Sequence, residues 1–194
     1  MTDAPADKQE NMATTSHETS ESEQIRKKLS IAAERKEAGN TAFKEGDYKT
    51  AMRCYHEIFL YISGLDKSKA GAPTPEGTRL LTDEEKTTIK ALEMSHHLNL
   101  AAIYLKLEKF SKCEAACSSV LKLEGEASNI KALFRRGKAR SELGDLDGAS
   151  EDLTKAGELD SADKNIQREQ QILARRLKQH EAKEKKRYAG MFDQ

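Results

Sequence analysis

Two pairs of polar residues are spaced so that each pair could contact a single ligand. Lys36 and Asn40 are four residues apart, and so are Lys131 and Arg135. Residues at this spacing share one face of a helix. Asn99 supplies a second amide. If one rigid surface carried all five side chains, their cationic and amide groups would donate hydrogen bonds to two closely spaced carboxylates.

The composition of the chain excludes several functional classes. The 194 residues include 33 basic and 33 acidic side chains, so there is no overall basic field and nucleic acid is not an expected partner. Hydrophobic residues make up 37% of the chain, which is low for an enzyme with a large buried cleft. The sequence contains no Gly-rich phosphate loop and no Gly-x-Ser-x-Gly or His-Glu-x-x-His motif. We therefore expect neither an enzyme nor a cofactor.

The N-terminal segment and the cysteines indicate the compartment. Residues 1–23 hold six acidic side chains, one Lys and no Val, Ile, Leu or aromatic residue, which predicts a disordered acidic tail. No apolar run is long enough for a signal peptide or a membrane span. Three cysteines form a sparse, odd-numbered set that favours reduced thiols. The expected location is the cytoplasm, with the nucleus as an alternative.

Hydrophobic periodicity predicts helices from Gln24 onward, and no long period-two alternation indicates a strand. Gly46-Asp47 separates the first two helices, and a loop at 63–82 contains two of the three prolines. Thr82 is the predicted N-cap of a long helix that reaches about residue 107. Four more helices are expected at about 110–123, 129–143, 146–158 and 162–188.

The segments that surround these turns repeat. The aligned positions of the first and last copies are Gly39 with Gly137, Gly46 with Gly144, Asp47 with Asp145, and Ala51 with Ala149. A middle copy places Ala101, Phe110 and Cys113 at the first small position, the Tyr48 position and the Ala51 position. Ala101 and Gly137 are 36 residues apart, near the 34-residue tetratricopeptide period.

Over roughly residues 31–160 the chain therefore resembles tetratricopeptide repeat (TPR) proteins. The resemblance predicts an all-α fold, a right-handed superhelix of three TPR helix-turn-helix repeats with a C-terminal capping helix and a concave groove lined by the first helix of each pair. The predicted parts are an acidic tail at 1–23, a TPR domain at 24–160 with repeats at 31–62, 83–124 and 129–160, and a C-terminal helix at 161–190.

Local motifs narrow the resemblance further. The long connection at 63–82 is similar to that of immunophilin-type co-chaperones and of the tetratricopeptide repeat protein 9 family. The matching motifs are Tyr55-His56, Ser63-Gly64-Leu65-Asp66, Asn99-Leu100-Ala101-Ala102, Lys131-Ala132-Leu133-Phe134-Arg135 and the tail from Lys185 to Phe192.

The five polar residues resemble the carboxylate clamp of co-chaperones that bind the Glu-Glu-Val-Asp tail of heat-shock proteins 90 and 70. The resemblance implies that Lys36, Asn40 and Asn99 hold the terminal carboxylate of the peptide. It implies that Lys131 and Arg135 hold the Asp side chain and groups before it. The predicted function is a chaperone-binding adaptor without chemistry of its own.

Two weaker patterns have alternative interpretations. Cys113 and Cys117, with His96 and His97, could ligate a metal, but their positions in the repeat favour buried core residues. Residues 175–187 carry seven cations and two acids, so the last helix could bind calmodulin or another anionic partner. A scaffold that acts through this helix or through the convex face is the alternative to the adaptor. The simpler interpretation is a solvated helix that caps the last repeat with a stripe of Ile166, Leu173, Leu177 and Tyr188.

Overall fold

The computed structural model describes residues 7–66, 80–123 and 125–192. These residues form seven α-helices and no strand, which confirms the predicted all-α fold class. The helices are α1 Asp7–Lys44, α2 Tyr48–Ile62, α3 Asp83–Lys106, α4 Phe110–Lys122, α5 Ile130–Leu143, α6 Leu146–Leu159 and α7 Lys164–Phe192.

The N-terminal end differs from the sequence-based expectation. Helix α1 begins at Asp7, so residues 7–23 are helical where a disordered tail was expected. This segment contains neither Pro nor Gly, and several of its residues (Glu, Gln, Met and Ala) are good helix formers. Residues 1–6 of the expected tail and residues 67–79 of the expected loop lie outside the described residues.

The chain divides into two compact units, residues 1–96 and 97–194, and the boundary falls within α3. In the first unit α1 packs against α2. Gly46 turns the chain between them at φ 81°, a conformation that glycine adopts without strain. Asp47 then caps α2, because its carboxylate accepts the backbone N–H of Thr50 at 3.0 Å. The Gly-Asp pair in the sequence is therefore a complete turn-and-cap signal.

A close contact between α1 and α2 depends on Gly39. A Cβ atom at Gly39 would lie 2.5 Å from Cε1 of Tyr55, whose side chain is buried. Ala51 and Ile58 are fully buried on the same helix as Tyr55. The missing side chain at position 39 is thus what lets the Tyr55 ring lie close to the backbone of α1.

We expect Gly39→Ala to destabilise the protein by about 1–3 kcal/mol, because the buried Tyr55 ring must move to make room for the added methyl group. This loss is expected even though alanine is more favourable than glycine in a helix by about 1 kcal/mol. Urea denaturation followed by circular dichroism measures the change. Gly157→Ala is the matched control, since its Cβ would meet the flexible end of Gln170 at 2.6 Å. A Gly39→Ala protein as stable as the Gly157→Ala protein would contradict the proposed packing.

The start of α3 is a reciprocal capping box. The hydroxyl of Thr82 accepts the backbone N–H of Glu85 at 3.2 Å, and the buried carboxylate of Glu85 accepts the backbone N–H of Thr82 at 2.9 Å. The two side chains satisfy donors that the first turn of a helix leaves unpaired. The predicted N-cap at Thr82 is confirmed.

The second unit contains the same kinds of helix contact, turn and cap as the first. Helix α5 packs against α4 and α6. A Cβ at Gly137 would lie 2.8 Å from Cγ of Leu153, as one at Gly39 would meet Tyr55. Gly144 turns the chain at φ 87°, and the Asp145 carboxylate caps α6 by accepting the N–H of Gly148 at 3.0 Å. The alignment of the first and last repeats thus corresponds to matching contacts.

Helix α7 covers the end of the second unit. Ile166 packs with Leu133 and Ala156, and Leu173 packs with Leu153 in a neighbouring cluster. Leu177 contacts the edge of that cluster. The fourth residue of the predicted stripe does not join it: Tyr188 is 53% exposed, so its inclusion was wrong. The covering contact ends near Leu177, since residues 178–183 are all exposed.

The three cysteines are buried free thiols. A hydrogen bond with Cys113 and burial together raise the pKa of the Cys117 thiol far above its usual range, which keeps it protonated. No cluster of His, Cys, Asp and Glu suited to a metal occurs within the described ranges. None of the helices in those ranges is both long enough and apolar enough to cross a membrane.

Candidate functional site

In the first unit, α1 places two of the predicted residues on one face. Lys36 and Asn40 are separated by one helical turn, and both are half-buried. The ammonium group of Lys36 lies 3.4 Å from the carboxylate of Glu37. The amide nitrogen of Asn40 donates to the same carboxylate at 3.3 Å. Both donors therefore face an anion within the protein itself.

Glu37 is the anion that these donors hold. Its side chain is 68% exposed. Hydrogen bonds from Asn40 and Lys36 hold the pKa of the Glu37 carboxyl below its usual value, because they favour its charged form. Lys36 and Asn40 therefore share one carboxylate, that of the exposed Glu37.

The other end of the Asn40 amide is anchored by α2. The buried Tyr55 hydroxyl donates to the amide oxygen of Asn40 at 3.0 Å. A carboxylate can only accept a hydrogen bond, and an amide nitrogen can only donate one. With its oxygen held by the phenol, the amide of Asn40 presents its NH2 group to Glu37.

In the second unit, Arg135 of α5 reaches α3. One guanidinium nitrogen, Nη1, donates to the backbone carbonyl of Leu98 at 2.7 Å, immediately before Asn99. Both Arg135 and Asn99 are half-buried. The hydrogen bond fixes the guanidinium beside the Leu98–Asn99 peptide, and a guanidinium has five N–H donors in all. The structure therefore places these two predicted residues near one another.

Lys131 lies in the first turn of α5, one turn before Arg135, and is exposed. Three other cations of α5, Arg136, Lys138 and Arg140, form ion pairs with acidic side chains. Arg136 makes two hydrogen bonds with Asp152 at 2.7 and 2.8 Å, and Lys138 pairs with Glu169 at 2.9 Å. Within the part of the chain that the structure describes, Lys131 makes no ion pair. It is thus the cation of α5 best placed to meet an external carboxylate.

The predicted residues form two groups, one in each unit. Lys36 and Asn40 belong to the first unit, whereas Asn99, Lys131 and Arg135 belong to the second. The structure brings each group together on its own. That all five residues meet one ligand stays a prediction.

Two contributors to the site were missed by reasoning from the sequence. Tyr55 orients Asn40, and Glu37 binds both Lys36 and Asn40. A signal for Tyr55 was present, because it lies seven residues after Tyr48 where the third repeat has Leu153, seven after Leu146. A polar group at a position that packing fills with an aliphatic side chain indicates an additional role. Glu37 carried no comparable signal, since an acid between two helix-face donors is common on surfaces.

Comparisons with known proteins show similarity to tetratricopeptide repeats. A family model for the tetratricopeptide repeat matches residues 130–163. Peptidyl-prolyl cis-trans isomerase FKBP4 of Mus musculus is 35% identical over 158 residues, which cover 81% of this chain and 31% of that protein. The chain thus spans about a third of the length of this curated relative.

Solved structures give the same result. The C-terminal TPR-containing domain of a putative FK506-binding protein from Plasmodium falciparum is 26% identical with a TM-score of 0.69, over 81% of this chain and 95% of that one. The first TPR domain of Spaghetti (RPAP3), solved bound to the heat-shock protein 90 peptide SRMEEVD, is 25% identical with a TM-score of 0.54, over 76% and 94% of the two chains. The chain therefore contains a tetratricopeptide repeat at residues 130–163, and over most of its length it is similar to the TPR domains of an FK506-binding protein and of RPAP3.

Proposed function

We propose that this protein is an adaptor that binds the acidic C-terminal peptide of heat-shock protein 90, heat-shock protein 70 or both through a dicarboxylate clamp. Lys36, Asn40 and Asn99 would hold the terminal carboxylate. Lys131 and Arg135 would hold the side chain of the final Asp and groups before it. The clamp binds and does not catalyse, and the proposed location is the cytoplasm.

The observation that carries this proposal is the anion already present on α1. Lys36 and Asn40 converge on the carboxylate of Glu37 and lower its pKa, as they would do for a carboxylate of a peptide. The similarity to a TPR domain solved with the peptide SRMEEVD supports heat-shock protein 90 as a partner. The exposed Lys131 adds a cation that has no partner of its own among the described residues.

A titration with a synthetic peptide that ends in Glu-Glu-Val-Asp tests the proposal. Isothermal calorimetry should detect binding of the free-acid peptide with a dissociation constant of the order of micromolar, about 8 kcal/mol. The same peptide with an amidated C-terminus should bind far more weakly, and added salt should weaken the free-acid complex. Equal binding of the acid and the amide would refute the clamp.

We expect Glu37→Gln to tighten binding of the free-acid peptide by about threefold, since it removes a negative charge that competes for Lys36 and Asn40. Calorimetry at low salt measures the change. Glu23→Gln, which neutralises an exposed acid on the same helix, is the matched control and should leave the affinity unchanged. An unchanged or weaker affinity of the Glu37→Gln protein would mean that Glu37 is not a competitor.

The scaffold alternative, acting through the convex face or the last helix, has one observation in its favour. The four lysines of α7 beyond its contact with the repeats are all exposed; they are Lys178, Lys183, Lys185 and Lys186. They would suit calmodulin or another acidic protein. Reversing their charge to Glu should abolish such binding and leave the peptide affinity intact. Deleting the helix is a poorer test, because Ile166 and Leu173 are buried in the core.

A further inference from the structure

The hydroxyl group of Tyr55 is not required for packing. Tyr55 lies against Gly39, and in the third repeat Leu153 occupies the corresponding place against Gly137. In the second repeat the corresponding residue is Cys117, seven residues after Phe110. An apolar side chain therefore fills this position in the third repeat, and a fully buried thiol fills it in the second.

The hydroxyl group of Tyr55 is buried, and buried polar groups in proteins are normally hydrogen-bonded. This hydroxyl, on α2, donates a hydrogen bond to the amide oxygen of Asn40 on α1, with 3.0 Å between the two oxygen atoms. The Tyr55 side chain is only 2% exposed and its ring is held against Gly39, so the phenol has little freedom to move. A rigid donor thus holds one end of an amide whose other end faces a carboxylate.

We propose that Tyr55 is a positioning residue that locks the Asn40 amide with its NH2 group outward, so that the peptide carboxylate meets a donor rather than the amide oxygen. The inference rests on the proposed function of Asn40. An Asn that rotates freely about its last bond presents an oxygen to the anion part of the time, and ordering it costs free energy on binding. Holding the amide in advance removes that cost.

The first test is Tyr55→Phe, which keeps the ring and removes the hydroxyl. We expect its affinity for a synthetic free-acid peptide ending in Glu-Glu-Val-Asp to fall about fivefold, within the range of one lost hydrogen bond. Tyr48→Phe is the matched control on the same helix and should bind like wild type. Asn40→Ala and the double variant Tyr55→Phe with Asn40→Ala should bind equally weakly, because the phenol acts only through the amide.

The second test reads the orientation of Asn40 without any peptide. In nuclear magnetic resonance spectra, the side-chain NH2 signals of Asn40 should be those of an ordered group in wild type and Tyr48→Phe proteins. In the Tyr55→Phe protein their heteronuclear Overhauser effect should drop. A wild type that binds no peptide would refute the proposed function and leave this measurement to decide the role of Tyr55. An Asn40 amide equally ordered in the Tyr55→Phe protein, or a double variant weaker than Asn40→Ala alone, would overturn the inference.

Discussion

A protein carrying both Lys131→Ala and Arg135→Ala is expected to bind the free-acid Glu-Glu-Val-Asp peptide at least about 50-fold more weakly than wild type. Each charge-assisted hydrogen bond contributes roughly 1.5–3 kcal/mol, and the double change removes two cations that would meet the Asp side chain. Calorimetric titration under the same salt conditions measures the loss. No larger effect on binding is expected from any other pair of changes in the second unit.

The chain offers a closely matched control for this variant. Lys164 and Arg168 are also a Lys and an Arg four residues apart on one helix, and both are exposed. Lys164→Ala with Arg168→Ala therefore makes the same change in charge away from the candidate site. It should leave the affinity within about twofold of wild type, because salt screens charges that lie far from the bound peptide. If the two double variants bind alike, the clamp assignment of Lys131 and Arg135 is wrong.

Asp152→Ala is expected to destabilise the protein by about 3 kcal/mol or more, the largest effect on folding among these predictions. Asp152 is 3% exposed, and it accepts hydrogen bonds from Arg136 and, at 3.2 Å, from Arg140. Its removal leaves two half-buried guanidinium groups without a shared carboxylate. Burial opposes the charge of Arg140, but its hydrogen bond with Glu114 and the charge of Asp152 outweigh burial and raise the pKa of Arg140.

Urea denaturation measures this loss, with Glu151→Ala as the control. Glu151 is the exposed acid next to Asp152 on α6, so its removal changes the charge equally without touching Arg136. Its effect should be within about 0.5 kcal/mol. Near-equal stability of the two variants would mean that the buried carboxylate contributes no more than a surface one. Asp152→Ala protein that remains folded should still bind the peptide, because the hydrogen bonds of Asp152 go to Arg136 and Arg140, which are not among the proposed clamp residues.

Much of the local structure could be predicted from the sequence because its causes are local. Gly46 and Gly144 supply the positive φ of a turn, and the Asp that follows each one caps the next helix. The Thr82 N-cap likewise depends on groups three residues apart. The length of α1 was not predicted correctly, because the helix begins at Asp7, ahead of the expected start at Gln24.

The sequence by itself determined the repeat and its turns, because periodicity and turn chemistry are properties of neighbouring residues, and it predicted five candidate donors. Only the tertiary structure decided which donors are available. Arg136 and Arg140 resemble Lys131 and Arg135 in sequence, yet the first two are bound to Asp152 and Lys131 is exposed. Likewise, Tyr55 orients Asn40 across 15 residues of chain. Such pairings depend on which helices pack together, because a hydrogen bond forms only where packing brings donor and acceptor within about 3 Å.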